Sequence, residues 1–193
     1  MDLTQGSFEM KKARAKKMML WFGMISVAMM FAGLTSAYVV SKSRPDWVSQ
    51  IDIPVQFLYS TIVIVLSSFT FFAAKKAIQK DNRRNATIFL LATFVLGLSF
   101  VILQFQGFAK FIEAGFYFTG SESTITTSFL YAIIFSHLVH LFGGLIVLLV
   151  VIYNHFKEKY KPGQTLGLEL GAMFWHFLDF LWVYLIVFFY FFR

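Results

Sequence analysis

The sequence contains no cysteine. The chain therefore cannot form disulfides, cysteine-ligated iron–sulfur clusters or thiolate-bound copper sites of its own. Proline is also rare, and the three prolines at positions 45, 54 and 162 lie between the long apolar segments or at their ends. Many membrane transporters break helices with glycine or proline in corresponding halves of the chain. The placement of proline therefore argues against a small transporter.

Charged side chains are scarce as well. They make up 14% of the residues, compared with about 25% in a typical soluble domain. The mean hydropathy is +0.69, and 58% of the residues are hydrophobic. This composition excludes an ordinary soluble domain and indicates an integral membrane protein.

Five long apolar runs account for this composition. Three of them have no charged side chain, and the last two contain only histidines and one aspartate. Each run exceeds the roughly 20 helical residues that span a hydrocarbon core of about 30 Å. Only helices and closed barrels satisfy their backbone in lipid. We therefore predict an all-α bundle of five transmembrane helices in one membrane domain (1–193), with helices at about 18–40, 54–74, 86–109, 126–153 and 169–192.

Lysine and arginine predict the orientation of the bundle. Thirteen of the 17 basic residues lie in segment 11–17 and in the loops at 75–84 and 155–163, which the helix count places on one side. Basic loops favour the cytoplasm. We therefore predict a cytoplasmic N-terminus and a periplasmic C-terminus. The net charge of +7 is then a signal of topology, and no nucleic-acid partner is expected.

A few ionisable residues lie within the last two apolar runs or directly before them. Such a side chain costs about 2.5–3.5 kcal/mol at the centre of a membrane helix on insertion scales, so each needs a partner or a function. We predict a buried polar cluster with a structural or proton-related role, formed by His137, His140, Glu169, His176 and Asp179. Within it, we expect Asp179 to accept a hydrogen bond from His137 or His140. Proton relay is the alternative role for Asp179.

Metal binding is another interpretation of these histidines. His140 and His176 lie on different helices and are a conceivable pair of axial ligands for one haem. A copper or di-iron site would require three or more histidines or paired Glu-x-x-His motifs, which neither helix provides. Histidines three residues apart on a helix are also typical of polar contacts between helices. We therefore favour polar contacts over metal ligation for these histidines and predict no metal-binding or cofactor-binding residue in this chain.

Large and small side chains indicate packing surfaces. Trp175 and Trp182 share a stripe with Asp179, and we expect neighbouring helices to satisfy the two indole N–H groups. Small residues every four positions are typical of close helix–helix contacts in membranes. Such a seam is predicted at Ala28, Ala32, Gly33, Ser36, Ala37, Gly143 and Gly144.

Several of these segments together resemble subunit III of the haem–copper oxidases, the cytochrome c and quinol oxidases. The last helix, GLELGAMFWHFLDFLWVYLIVFFYFF (167–192), resembles that family's E-x-G…WHF-x-D-x-x-W signature. SHLVHLFGG (136–144) resembles its H-x-x-H-x-x-x-G helix, and SSFTF (67–71) and LGLSFVILQFQGF (96–108) resemble the two helices before it. The resemblance runs from about residue 54 to 192. It is most similar to the five-helix, bacterial form.

The resemblance implies an accessory subunit of a proton-translocating cytochrome c oxidase in the bacterial inner membrane. Such a subunit has no redox centre or active site, and the haem and copper belong to partner subunits. It contacts subunit I directly, assembles with subunit II and other small subunits, and holds structural phospholipids. It supports proton uptake and the durability of the oxidase.

The sequence departs from the family pattern at two places. Many members carry a carboxylate in each of the helices that correspond to 18–40 and 86–109. Here the nearest aligned residues are Ser26 or Val27 in the first helix and Gly107 in the second. Alternative interpretations are a similar subunit of a quinol oxidase or of a nitric oxide reductase. A small transporter and a b-type cytochrome are alternatives from other classes.

Overall fold

A computed structural model describes residues 8–48, 51–120, 123–160 and 165–192. Within these ranges all five predicted helices are present, and each is long and apolar enough to cross a membrane. A short 3₁₀ turn (Ser41–Ser43) follows the first helix. The helices are α1 (Phe8–Val40), α2 (Val55–Gln79), α3 (Arg83–Glu113), α4 (Ile125–Phe156) and α5 (Leu166–Phe192).

The helices extend beyond the predicted apolar runs. Helix α1 begins at Phe8, although the charge-free run begins at residue 18. Helix α3 begins at Arg83 and ends at Glu113, beyond the predicted 86–109. The predicted ends were placed at charged residues, but lysine, arginine and glutamate are favourable in helices. The apolar runs therefore mark the segments that fit the hydrocarbon core, and the helices continue past them.

Polar side chains begin two of the helices. The Asn82 side chain accepts a hydrogen bond from the backbone N–H of Asn85 at the start of α3. Thr124 and Thr127 form a reciprocal capping box at the start of α4. These bonds satisfy N–H groups that have no partner inside the helix. They also fix the tight turn between α2 and α3 and the loop that precedes α4.

Helices α2, α3, α4 and α5 form a closed ring, in which each contacts the next and α5 contacts α2. Helix α1 packs outside this ring against α4 and α5. Aromatic and branched side chains fill the interior, including Phe31, Ile64, Phe71, Leu90 and Phe100. Helix α5 packs against α1, α2 and α4, and its Trp175 and Trp182 side chains also reach Gly97 and Phe100 of α3.

The outer surface is strongly apolar. Large side chains such as Phe69, Phe135 and Phe180 are exposed along the helices, as expected where lipid replaces water as the solvent. Ion pairs lie at the helix ends, including Lys17–Glu169 at one end of the bundle and Arg44–Asp46 at the other. The hydrogen bond from Arg44 lowers the pKa of Asp46 below its ordinary value.

Candidate functional site: polar side chains of the last helix

Two tryptophans of α5 donate hydrogen bonds to hydroxyl groups of α2. Trp175 Nε1 lies 3.1 Å from Ser67 Oγ, and Trp182 Nε1 lies 3.0 Å from Thr61 Oγ1. The tryptophans are two turns apart on α5, and the hydroxyls are nearly two turns apart on the antiparallel α2. These two contacts therefore fix the register between α5 and α2.

His176 and Asp179 also lie toward α2. Ser68 Oγ is 2.6 Å from His176 Nδ1. Asp179 is only 4% exposed, yet neither carboxyl oxygen has a hydrogen-bond partner within the described residues. Both residues line an open groove of about 540 Å³ between α2 and α5. We call this the midplane groove, lined mainly by Ser68, Phe69, Phe72, His176, Asp179 and Phe180.

The two histidines of α4 lie on another side of α5. His137 is completely buried, and its ring centroid is 5.2 Å from that of Trp182, 6.1 Å from Phe100 and 6.4 Å from Phe31. Neither of its nitrogens has a hydrogen-bond partner within the described residues. His140 Nδ1 lies 2.7 Å from the Ser136 carbonyl oxygen of its own helix. The bulk of Trp182 fills the space between His137 and α2.

The predicted hydrogen bond between Asp179 and a histidine of α4 is therefore wrong. The face of α5 that meets α4 carries Gly171 and Leu178, which approach Val151 and Gly144 respectively. Asp179 follows Leu178 directly, and one residue along a helix is a rotation of about 100°. That rotation turns the carboxyl group away from α4 and toward α2.

Glu169 does not join the other polar residues either. Its Oε2 lies 2.7 Å from Lys17 Nζ of α1, and its Oε1 accepts a hydrogen bond from Thr165 at 3.1 Å. This ion pair connects the first and last helices near one end of the bundle. The predicted cluster thus consists of three separate groups: the α4 histidines, the groove residues His176 and Asp179, and Glu169.

Further polar contacts were not assigned from the sequence. Gln104 Nε2 donates to Ser60 Oγ at 2.9 Å in the interior, and His155 Nε2 lies 2.9 Å from Thr87 Oγ1. Ser60 and Ser67 are seven residues apart on α2, and so are Thr61 and Ser68. Hydroxyl pairs at this spacing lie on one helix face. That pattern was the available signal that α2 is the polar partner of α5.

The small residues of the predicted seam also lie in different places of the structure. A Cβ added to Gly144 would meet Leu178 Cδ1 at 2.8 Å, so this glycine lies in the contact between α4 and α5. A Cβ on Gly143 or Gly33 would meet no atom within 4 Å. Ala28, Ala32 and Ser36 are exposed and line open grooves between α1 and α5. A close helix contact at these residues stays a prediction.

The described residues contain no group of three or more histidine, aspartate or glutamate side chains that could hold a metal ion. The polar residues of α5 instead contact single hydroxyl groups, an amine or an aromatic ring. What these side chains do chemically is form hydrogen bonds within the chain in an apolar setting.

Comparisons with known proteins agree on one family. The sequence model of the family described as cytochrome c oxidase subunit III matches residues 4–193. A cytochrome bo(3) ubiquinol oxidase subunit 3 of Buchnera aphidicola from Acyrthosiphon pisum is 27% identical over 93% of this chain and 88% of its own length. The corresponding protein of Pseudomonas putida is 28% identical over 84% of this chain and 79% of its own length.

Relatives from cytochrome c oxidases match a shorter part of the sequence. A cytochrome c oxidase subunit 3 of Spodoptera frugiperda is 31% identical over 67% of this chain and 84% of its own length. The family model covers nearly every residue, including all five helices. The chain belongs to the cytochrome c oxidase subunit III family.

Proposed function

We propose that this chain is the accessory subunit III of a haem–copper terminal oxidase, without a redox centre or active site of its own. It contacts subunit I in the membrane and assembles with subunit II and smaller subunits. It holds structural phospholipids and supports proton uptake and the durability of the enzyme. The observation that carries this proposal is the match of the subunit III family to residues 4–193.

The proposed topology places the N-terminus in the cytoplasm and the C-terminus in the periplasm of a bacterial inner membrane. The end of the bundle where α1 and α5 begin carries Lys17, Glu169 and the basic stretch 11–17. Basic residues close to membrane helices favour the cytoplasmic side. The charge distribution along the chain supports this orientation.

The electron donor of the proposed oxidase has two candidates. Cytochrome c is the first, in agreement with the family description. Ubiquinol is the second, because the relatives that match 93% and 84% of this chain are ubiquinol oxidase subunits. Purified complexes supplied with reduced cytochrome c or with ubiquinol distinguish the two donors.

Co-purification tests the proposed function. The chain, tagged at its N-terminus and expressed in its own membrane, should bring down the haem–copper core in mild detergent, with haem spectra and oxygen consumption in the same fractions. An unrelated five-helix protein with the same tag is the control. A tagged chain that purifies alone, or with a nitric oxide reductase, contradicts the proposal.

A further inference from the structure

Two adjoining grooves follow the contact between α1 and α5. They have volumes of about 460 and 290 Å³, and both are lined by Ala32 and Tyr184. Together we call them the α1–α5 groove, which is lined mainly by Ala28, Ala32, Ser36, Val39, Tyr184 and Phe188. Most of these side chains are apolar, so the groove favours an apolar occupant.

Two hydroxyl groups in the groove already satisfy each other. Thr35 Oγ1 donates to the Phe31 carbonyl oxygen at 2.9 Å and lies 3.1 Å from the Tyr184 hydroxyl, which is then the donor in that contact. This hydrogen bond joins α1 and α5, and the groove lies beside it. An apolar occupant therefore leaves neither hydroxyl without a partner, and no polar side chain of another protein is needed here.

The groove has the depth of one membrane leaflet. On α1 it extends from Ala28, near the middle of the apolar run 18–40, to Val40 at the end of the helix. These twelve residues span about 18 Å, which is close to half of a hydrocarbon core of about 30 Å. On α5 it extends from Phe177, near the helix centre, to Phe192 at the helix end. A lipid acyl chain covers the same distance, from the headgroup layer to the midplane.

A lysine side chain lies at the outer end of the groove. Lys42 Nζ is 5.2 Å from the ring centroid of Phe192, which lines the groove, and 5.9 Å from that of Trp47. None of the ion pairs among the described residues includes Lys42, whereas the nearby Arg44 pairs with Asp46. The two rings therefore hold a positive charge without a carboxylate partner at the level where headgroups begin. This charge complements that of a phosphate group.

We propose that the α1–α5 groove binds one acyl chain of a phospholipid whose phosphate group contacts Lys42. The apolar lining, the depth of one leaflet and the positive charge at the outer end together favour this occupant. A transmembrane helix would continue through both leaflets and would not need a charge at this end. The inference rests on the proposed function, because it locates one of the structural phospholipids of the subunit. In the proposed topology, this lipid belongs to the periplasmic leaflet.

Filling the groove tests the position of the acyl chain. Ala32→Leu places a larger side chain at a residue that lines both parts of the groove, and Ala28→Leu does so at its inner end. Native mass spectrometry of the full-length chain, purified with added phosphatidylglycerol or phosphatidylethanolamine, counts the bound phospholipids. Each variant should retain one phospholipid fewer per chain than the wild type. Ser26→Leu is the matched control, because Ser26 is exposed on the same helix, and it should retain the full number.

Removing the charge tests the position of the phosphate. Lys42→Gln should raise the dissociation constant of this phospholipid about fivefold, the effect of one basic residue at an anionic membrane surface. The change should appear with both lipids, because both carry the phosphate. Lys110→Gln is the control, since Lys110 lies on the same side of the membrane in the proposed topology and pairs with Glu113 within the chain. It should leave the dissociation constant unchanged.

Photo-crosslinking in the membrane identifies the occupant. The photoreactive residue p-benzoyl-phenylalanine replaces Ser36, which is exposed and lines the groove, or, as a control, Phe135 on α4, which is 62% exposed. The protein is irradiated after an extensive detergent wash that removes loosely bound lipid. Position 36 should then give an adduct with a phospholipid, and position 135 should give several times less of it.

Three results would overturn the lipid site while leaving the proposed function intact. The first is a full phospholipid count in both Ala32→Leu and Ala28→Leu. The second is an equal dissociation constant for Lys42→Gln and Lys110→Gln. The third is an adduct of position 36 with a protein subunit, which would place a helix in the groove, as the spacing of the small residues predicts. A wild-type chain that keeps the lipid but does not purify with any oxidase refutes the proposed function itself.

Discussion

At the scale of single residues, hydroxyl groups of α2 accept the indole N–H groups of both α5 tryptophans. Thr61 donates its hydroxyl proton to the Phe57 carbonyl oxygen and accepts a hydrogen bond from Trp182. Ser67 likewise accepts from Trp175 and donates to the Thr93 carbonyl oxygen at 3.4 Å. Each hydroxyl thus acts as donor and acceptor at once, which is how a short side chain can satisfy two groups in an apolar interior.

The contact between Trp182 and Thr61 leads to a prediction. Valine has nearly the shape of threonine, so Thr61→Val keeps the packing and leaves the buried indole N–H without an acceptor. An unsatisfied buried donor costs about 1–3 kcal/mol. We expect the free energy of unfolding in detergent, followed by circular dichroism, to fall by about that amount.

A double-mutant cycle with Trp182→Phe isolates the hydrogen bond from other effects. Because Trp182→Phe removes the donor, Thr61→Val should cost much less in that background. Thr119→Val, at an exposed position, is the control and should change stability little. Equal effects of Thr61→Val in both backgrounds would show that the hydrogen bond does not stabilise the chain.

The sequence identified the polar residues of α5 but not their partners. Composition and hydropathy predict His176 and Asp179 inside a membrane helix, and in the structure both lie near the middle of α5, which is apolar enough to cross one. Their partners depend on the rotation of α5 about its axis. Successive residues of a helix differ by about 100° around that axis, so a side chain that faces α4 is followed by one that faces α2. With 26 phenylalanines in the chain, nearly every helix face is apolar. The hydrophobic pattern therefore gives little information about rotation.

At the scale of helices, glycine allows α4 and α5 to approach closely. A Cβ on Gly171 would lie 2.8 Å from Val151 Cγ2 and 3.5 Å from Val147 Cγ1. Valine is stiff at χ1 in a helix, so these methyl groups cannot easily turn away. The two helices would have to separate. Gly171 was not part of the predicted seam, although Gly167 lies four residues before it and the pair has the same small-residue spacing.

Substitution of this glycine gives the second prediction. Gly171→Ala should lower the free energy of unfolding by about 1–3 kcal/mol, the usual range for overpacking. Gly143→Ala is the control on α4, because its Cβ would meet no atom within 4 Å. It should leave stability unchanged or raise it by up to about 1 kcal/mol through helix propensity. Thermal unfolding of the two purified variants measures both effects, and equal stabilities would contradict the packing of α5 on α4.

At the scale of the whole molecule, hydropathy and charge predicted the number and order of the helices. A helix that crosses the hydrocarbon core needs a long apolar run, so the five runs in the sequence predict five helices. Which helices are neighbours was not available from the same signals. The closed ring of α2, α3, α4 and α5 with α1 outside it depends on contacts such as Trp182–Thr61 and Gly171–Val151. Those contacts can be assigned only when the rotation of each helix about its own axis is known.

The orientation of the ring in the membrane gives the last prediction. Because the chain has no cysteine, any single introduced cysteine is a unique reporter. Ser43→Cys lies after α1, and Asn85→Cys lies at the start of α3, at the opposite end of the bundle, and both positions are exposed. Neither substitution changes the count of basic residues that sets the topology.

A maleimide that does not cross membranes should label Ser43→Cys in cells whose outer membrane alone has been permeabilised. It should label Asn85→Cys only after the inner membrane is opened as well. The physical reason is that the 13 basic residues on the Asn85 side resist transfer across the membrane during insertion. The unmodified chain, which has no thiol, is the control for background. Labelling of Asn85→Cys before the inner membrane is opened, with Ser43→Cys protected, would invert the proposed topology and place Lys17 and Glu169 in the periplasm.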